Sequence, residues 1–349
     1  MFQDISLGHL LDLQRKQQTT LVDVRSPSEY KNGAIPGSIN IPVFSDKERA
    51  EVGTLYKQVG AEAAKELGLE IMSLKLPSFI EAFRNLEGEK VVYCWRGGMR
   101  SKTAATVVDL MGIPISRLEG GIRTYRNWVV STLEKYEMHA PVYALNGYTG
   151  SGKTIILNKL KQKQYPVIDL EGLAGHRGSI FGQIGLEPSN QKTFDSLLLE
   201  NLITNDQSPF VLIEAESRRI GKVVLPEFLL QKKEEGLQIF IEMPIEERVK
   251  NILDDYQPWN HHEEYIRAFK IIKRRIHTPV AKEIEKLLIA QDYSSAVHLL
   301  LHYYYDPKYN HTRKQYTKDH NHTIQVKNVD EAIPSLEAYL QSIKSVTAH

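Results

Sequence analysis

Two short stretches of this chain carry residues whose types and spacing suit covalent or phosphate chemistry. The first, VVYCWRGGMRS (Val91 to Ser101), holds the only cysteine among 349 residues. Behind Cys94 come Arg96, Gly97, Gly98 and Arg100, with cysteine and second arginine spaced C-x5-R. An apolar run that enters a glycine-rich loop and leaves as a helix aims backbone N–H groups at whatever occupies the loop. Those amides, with Arg96 and Arg100, favour the thiolate, which is the nucleophilic form of cysteine. A lone cysteine without such neighbours reads as a small buried hydrophobe. Here the glycines and arginines select the reactive reading.

The second stretch, GYTGSGKT (Gly147 to Thr154), fits G-x-x-x-x-G-K-[ST] and lies between a strand-like run and a helical one, the context such a loop requires. Gly147, Gly150, Ser151 and Gly152 let the backbone wrap a diphosphate. Lys153 adds a point charge, and the Thr154 hydroxyl is placed to reach a magnesium ion where one is present. The motif leaves open whether the ligand is a nucleotide. A hydrolytic P-loop enzyme holds its metal through a further carboxylate at a strand end. Asp169, Glu214 and Glu216 are available for that, but they do not form the usual pattern, and no base-recognition signature accompanies them.

Several other residues stand where a substrate would be met. His176 and Arg177 lie in the glycine-rich loop EGLAGHRGSIFG, just after a strand end, and Arg218 and Arg219 follow the next one in ESRRIG. From Arg267 to Lys286 seven Lys/Arg stand against two Glu, and Lys270, Lys273, Arg274 and His277 would share neighbouring positions of a helix. That stripe suits a phosphate backbone, or else a solvated face with Ile271, Ile272 and Ile276 turned inward. The segment HYYYDPKYNHTRKQYTK (His302 to Lys318) interleaves tyrosines, Tyr304 and Tyr305 among them, with Lys308, Arg313, Lys314 and Lys318. Aromatics among cations suit stacking on unpaired bases, so RNA contact is expected here. His261–His262 and His320-x-His322 lack cysteine partners and i, i+4 spacing, and no metal site is expected from them.

The elements needed to position these residues are visible in the apolar periodicity. Strands are predicted at Thr20 to Arg25, Ser38 to Pro42, Val91 to Cys94 and within ISRLEG, with helices from Ser101 and from Ile122. A second series starts at Pro141 to Gly147. It continues with a helix from Lys153, strands at Pro166 to Leu170, Phe210 to Glu214 and Leu237 to Met243, and a helix from Gln191 to Thr204. From Pro244 onward the pattern is mainly helical. Strands alternating with helices predict α/β domains with mostly parallel sheets, divided at a short polar linker into residues 1–137 and 138–349. A hydrophobic fraction of 42% and a charged fraction of 25% are ordinary for a globular protein, and the net charge of +1 names no partner. One cysteine makes no internal disulfide. The N-terminus has no secretory pattern and no window approaches a membrane span. A cytoplasmic protein, with no membrane partner, is expected.

Motifs around the cysteine extend this reading. DVRSPSEYKNGAIPGSINIP (Asp23 to Pro42) resembles the opening signature of rhodanese-like domains, and LEGGIRTYRNW (Leu118 to Trp128) resembles their closing segment. The C-x5-R spacing is one residue longer than in ordinary sulfurtransferases of that family and is similar to rhodanese-related phosphatases, whose loop holds a tetrahedral phosphate. Tyr93, however, stands where cysteine phosphatases place a histidine, and no aspartate near the loop is an obvious acid.

With DLEGLAGHRGSIFG, IEAESRRIG and YYYDPKYN following in order, the chain resembles the bacterial tRNA 2-selenouridine synthases over nearly its full length. The resemblance implies an N-terminal rhodanese-like α/β domain followed by a P-loop α/β domain with a helical C-terminal extension. It implies a selenotransferase and geranyltransferase acting on the anticodon wobble 2-thiouridine of tRNA. Geranyl diphosphate and selenophosphate would be its substrates, magnesium an optional companion, and no cofactor would be tightly bound. Cys94 would carry selenium as a selenenylated cysteine, and the P-loop would hold the diphosphate. Two other readings stand beside it. One is an ATP-dependent tRNA sulfurtransferase or kinase; the other is a rhodanese-related phosphatase or regulatory module on a P-loop RNA binder.

Overall fold

The computed structural model describes residues 1–313 and 321–347. The chain divides into two compact units, Met1–Lys135 with Asp195–Leu197, and Tyr136–Phe194 with Leu198–His349. No helix among the described residues is long and apolar enough to cross a membrane.

The first unit is built on a five-stranded parallel sheet of β1 (Gln3–Ile5), β2 (Thr19–Asp23), β3 (Ile39–Asn40), β4 (Glu89–Tyr93) and β5 (Ile115–Leu118), in the order β1-β5-β4-β2-β3. Leu21, Val22, Val91 and Val92 are buried, as expected for parallel strands covered on both faces. Because β4 is central, Cys94 emerges at its C-terminal end, and the helix Met99–Leu110 begins directly behind the loop. Two features escaped the sequence reading. β1 has three residues, only one of them buried, too short for a period. The helices Asp46–Gln58 and Ala61–Arg84 fill the chain between β3 and β4, and Met72, Phe79, Ile80 and Phe83 of the second pack into the core. The DVR triplet is structural. Arg25 grips Asp23 (Nη2–Oδ2 2.6 Å) in a buried pair and donates to the Gly33 carbonyl at 2.7 Å, anchoring the segment that leads to β3.

The second unit holds another five-stranded parallel sheet. Its strands are β6 (Val142–Gly147), β7 (Val167–Ile168), β8 (Val211–Glu214), β11 (Leu237–Glu242) and β12 (Asn321–Gln325), in the order β12-β11-β6-β8-β7; the hairpin β9 (Arg219–Ile220) and β10 (Val223–Val224) stands apart. The helix Lys153–Gln162 covers the sheet through Ile156, Leu157 and Leu160. The chain after Pro244 is mainly helical, as expected, and among its described residues Asn321–Gln325 adds an edge strand in register with Gln238–Glu242. Two expectations are corrected. The strand near Pro166 ends at Ile168, because the Asp169 carboxylate caps a short helix, Leu170–Ala174, by accepting from the Gly172 amide at 2.7 Å. Lys270, Lys273, Arg274 and His277 do not share one helix. The helix His262–Ile272 closes into a 3-10 turn at Lys273–Arg275, Ile276 turns extended into the core, and His277 caps the next helix, Thr278–Ile289. Burial of Ile276 breaks the run. With the helix Tyr293–Leu300, these segments enclose a separate apolar core around Phe181, Tyr265, Phe269 and Leu300.

Candidate active site

Cys94 is 3% exposed, and its Sγ lies 3.1 Å from the Ser101 hydroxyl and 4.0 Å from the Gly98 carbonyl oxygen. Gly98 caps the helix Met99–Leu110, so the amides of that helix's first turn, which have no intrahelical acceptor, border the thiol's loop. The closing segment holds the loop from behind. The Ile122 amide donates to the Cys94 carbonyl at 2.9 Å and the Arg123 amide to that of Trp95 at 3.1 Å. Arg117, clamped by Asp4 at 2.6 and 2.7 Å, donates to the Gly97 carbonyl at 2.9 Å. Gly121 is required at this junction. Its φ is +61°, and a Cβ there would stand 2.2 Å from the Cys94 carbonyl oxygen. Gly121→Ala is expected to cost roughly 2–4 kcal/mol through strain and steric overlap, read by urea denaturation of the purified protein.

The arginines of the loop separate. Arg96 and Trp95 (42% exposed) stand on the outer rim. Arg100 is instead committed to Glu29, with Nη2–Oε1 at 3.2 Å and a shorter Nη1–Oε2 contact. This differs from the arginine free beside the thiol that the motif suggests. Tyr93 turns into the core, where its hydroxyl accepts from the Ile35 amide (3.1 Å) and meets Ser38 Oγ (2.9 Å). It is a structural brace.

Burial opposes the charge of Glu29, but the hydrogen bond and charge of Arg100, with the Ser26 amide, outweigh it and hold the carboxyl below its ordinary value. A depressed carboxylate contributes stability that is present above its unfolded pKa near 4.5 and lost as pH falls through the folded value. Glu29→Gln is therefore expected to lose about 2 kcal/mol at pH 7. The gap to wild type should close on acidification below about pH 4, as followed by denaturant titration at both pH values. A gap that persists undiminished in acid would show that the ion pair is not its source.

In the second unit, β6 carries the chain to Gly147 between β8 and β11, a position from which a loop projects beyond the strand ends. Lys153 Nζ donates to the Gly147 carbonyl at 3.1 Å, and the Asn251 side-chain amide pins the Gly150 carbonyl at 2.9 Å. Gly150 (φ +84°) passes so close to the Arg248 carbonyl that a Cβ would lie at 2.6 Å. Gly152 caps the helix that Lys153 and Thr154 open, and Ser151 is buried beside it.

The carboxylates take different positions around this loop. Thr154 Oγ1 donates to Glu171 Oε2 at 2.7 Å. Burial, then the neighbouring Glu216, pushes the Glu171 carboxyl up to about 8. Glu214 is fully buried, accepts from the Leu170 amide at 2.8 Å, and is driven well above its ordinary range by burial and by Asp169. It braces β8 against the chain just beyond β7. Lys153 is held above its ordinary value, since nearby Tyr309, Glu171, Glu216 and Glu214 outweigh its burial.

A cavity of about 800 Å³ opens over the loop. His176, Glu216, Tyr304, Tyr305 and Lys308 line it with the P-loop residues, and so do Lys222, Lys233 and Arg275, which the sequence does not mark as ligands for a substrate. Lys233 is buried and donates to the Glu216 carbonyl at 2.7 Å. No pattern in its helix marks it, because only the fold turns it toward the P-loop. His176 accepts from the Gly178 amide at 3.1 Å, and burial lowers its pKa.

Arg177 also borders the cavity, but its guanidinium serves the fold. It donates to the carbonyls of Ile184 and Asp255 at 3.0 Å each, pairs with the Asp255 carboxylate at 2.8 Å and stacks on Tyr256. Arg218, Arg219, Lys273 and Arg274 are not among the lining residues. Arg218 approaches Glu227 at 3.5 Å, Arg219 is exposed on β9, Lys273 is paired with Glu285, and Arg274 is exposed.

Tyr304 is buried under the Lys308 ammonium, 3.4 Å from its ring centre. This segment is tied down by the buried Arg248, which pairs with the half-buried Asp306 at 2.7 Å, while Tyr309 stands near both Lys153 and Tyr148. The expected RNA contacts of Lys314, Tyr316 and Lys318 lie outside the described residues, as does His320. His261 meets Glu264 at 3.1 Å, His262 meets the Tyr293 hydroxyl at 2.9 Å, and His322 stacks on Tyr339.

Comparison with known proteins matches a family to each part of the chain. The family described as the tRNA 2-selenouridine synthase AAA domain matches residues 140–339, and the rhodanese-like domain matches residues 6–127. A tRNA 2-selenouridine synthase of Nitrosomonas europaea is 37% identical over 246 residues, covering 68% of this chain and 63% of that protein. One from Bdellovibrio bacteriovorus is 38% identical over 255 residues, covering 69% and 65%. One from a Sulfurovum species is 33% identical over 326 residues, covering 84% and 88%. The chain thus aligns with just under two thirds of the length of the first two relatives and most of the third. On a match that spans more than half of its length and on these relatives, the chain belongs to the tRNA 2-selenouridine synthase family.

Proposed function

We propose that this protein replaces the sulfur of wobble 2-thiouridine in tRNA by selenium in two steps, one at each site. The observation that carries the reading is the pairing, in one chain, of a buried thiol in an amide-bordered loop with a P-loop lysine that faces a large cavity of mixed cations and aromatics. A cavity of about 800 Å³ is large enough for a nucleoside together with a small diphosphate ester.

In the first step the thione sulfur attacks C1 of geranyl diphosphate. The S–C bond forms, the C–O bond breaks, the N3 proton is lost and diphosphate departs. Lys153 and the loop amides neutralise the charge that develops on the departing oxygen, so no nucleotide hydrolysis is needed. The Thr154 hydroxyl and the Glu171 carboxylate are the oxygens that would take up a magnesium ion beside the diphosphate, where it would supply further neutralisation. In the second step the selenium of selenophosphate attacks C2: the C2–Se bond forms, C2–S breaks and the sulfur leaves with a proton as geranylthiol, a far better leaving group than the sulfur of a thione. Water then cleaves the Se–P bond, phosphate departs and selenouridine remains. Cys94 handles the selenium of selenophosphate at this stage, bordered by amides suited to a tetrahedral oxyanion.

The test is nucleoside mass spectrometry of a 2-thiolated tRNA incubated with the purified protein, first with geranyl diphosphate and then with selenophosphate. Geranylthiouridine followed by selenouridine is expected. A uridine left untouched unless ATP is supplied would replace this reading with the nucleotide-dependent one.

A further inference from the structure

A second, apolar chamber adjoins the P-loop cavity. Thr149, Ser179, Ile252, Tyr256 and Tyr305 line both spaces, so the two adjoin there. Beyond that shared neck the wall is made by Phe181, Tyr265, Leu288, Val297 and Leu300 with their apolar neighbours. Phe181, Tyr265, Leu288 and Leu300 come from the core of the helical part of the second unit, and Val297 is half-buried beside them. At the neck Ser179 Oγ and the Tyr256 hydroxyl meet at 3.3 Å. The chamber's free volume is about 40 Å³, where a single water takes up roughly 10–15 Å³ on the same measure. That is room for a few branched carbon atoms.

A void in a packed core destabilises it, and an apolar one stays dry. A void that opens beside a diphosphate site therefore has a natural occupant: the hydrocarbon end of a ligand whose head is the diphosphate. A nucleotide cannot use it, since ribose and base would leave their polar groups without partners there. We infer that the chamber seats the distal end of the diphosphate ligand's hydrocarbon tail, and that Leu288 and Val297 set the tail length the enzyme accepts. The inference rests on the prenyl diphosphate reading above and adds to it the place of the tail and the residues that measure it. The proximal part of the tail runs from the P-loop past Ile252 to the neck, and only the last branched unit enters.

The experiment is calorimetric titration of the full chain with inorganic diphosphate and with dimethylallyl, geranyl and farnesyl diphosphates, for wild type, Val297→Phe and Leu288→Ala. Wild type should bind geranyl diphosphate at least ~10-fold more tightly than inorganic diphosphate, from burial of the tail end. Val297→Phe fills the chamber and should remove most of that advantage while inorganic diphosphate binds as before, which also reports a folded P-loop. Leu288→Ala enlarges the chamber and should move the preference toward farnesyl diphosphate, so it decides the matter should Val297→Phe fail to fold. If the geranyl preference of wild type persists unchanged in the variants, the chamber is a packing void and the tail lies elsewhere, with the prenyl reading intact. If wild type binds geranyl diphosphate no better than inorganic diphosphate, that reading falls and the chamber assignment falls with it.

Discussion

Cys94→Ala is expected to stop the reaction at S-geranyl-2-thiouridine: geranylation proceeds at close to the wild-type rate, and selenouridine formation falls by about 10³-fold or more, as the loss of a covalently acting group does. The thiol is the one group of the cysteine loop that can handle selenium. Alanine keeps the backbone that Ile122 and Arg123 hold and removes only a buried sulfur. The cavity this leaves costs about 1 kcal/mol, too little to unfold the first unit. Cys94→Ser, which keeps a polar atom near Ser101 Oγ, should fail in the same way. The readout is the ratio of geranylated to selenated nucleoside in digested tRNA. Selenation that survives both substitutions would reduce the first unit to a regulatory module.

Lys153→Ala should block the reaction one step earlier, with geranylation lowered by roughly 10²–10³-fold, the usual loss when a preorganised charge at a leaving group is removed. The side chain donates to the Gly147 carbonyl, and, despite burial, its acidic neighbours hold its pKa above the ordinary value. It is thus a cation at neutral pH, available to exchange a carbonyl oxygen for a diphosphate oxygen. The two variants make opposite intermediates. Cys94→Ala accumulates geranylthiouridine, whereas Lys153→Ala leaves thiouridine. Supplying Lys153→Ala with tRNA already geranylated should restore selenation, and failure to do so would show that the P-loop also serves the second step.

The two sites differ in how much of them could be read from the chain. The P-loop is local: glycine spacing, Lys153 and Thr154 follow one another between a strand and a helix, and the structure places them as that order requires. The cysteine loop is local in its backbone but not in its charges. Arg100 sits one helical turn from the loop glycines, yet its partner Glu29 is 71 positions away, and no spacing rule links them. The basic helix from Arg267 fails as a continuous stripe because Ile276 is drawn into the core, and burial of one apolar side chain outweighs the few tenths of a kcal/mol per residue that helix propensity supplies.

The sequence by itself determined the two α/β folds, the two candidate loops and the family, because each rests on short-range spacing that survives any packing of the rest. Only the tertiary structure decided which of the many charged and aromatic residues face the P-loop. Lys233, Arg275, Glu171 and Tyr305 do; Arg218, Arg219, Lys273 and Arg274 do not. It also decided that Arg177 and Tyr93 are braces. The reason is physical: a side chain's role depends on which way its element turns, and that is set by contacts between segments far apart in the chain. The apolar chamber is the extreme case. Every residue beyond its neck is an ordinary core residue in sequence, and only the space left between helices distinguishes it.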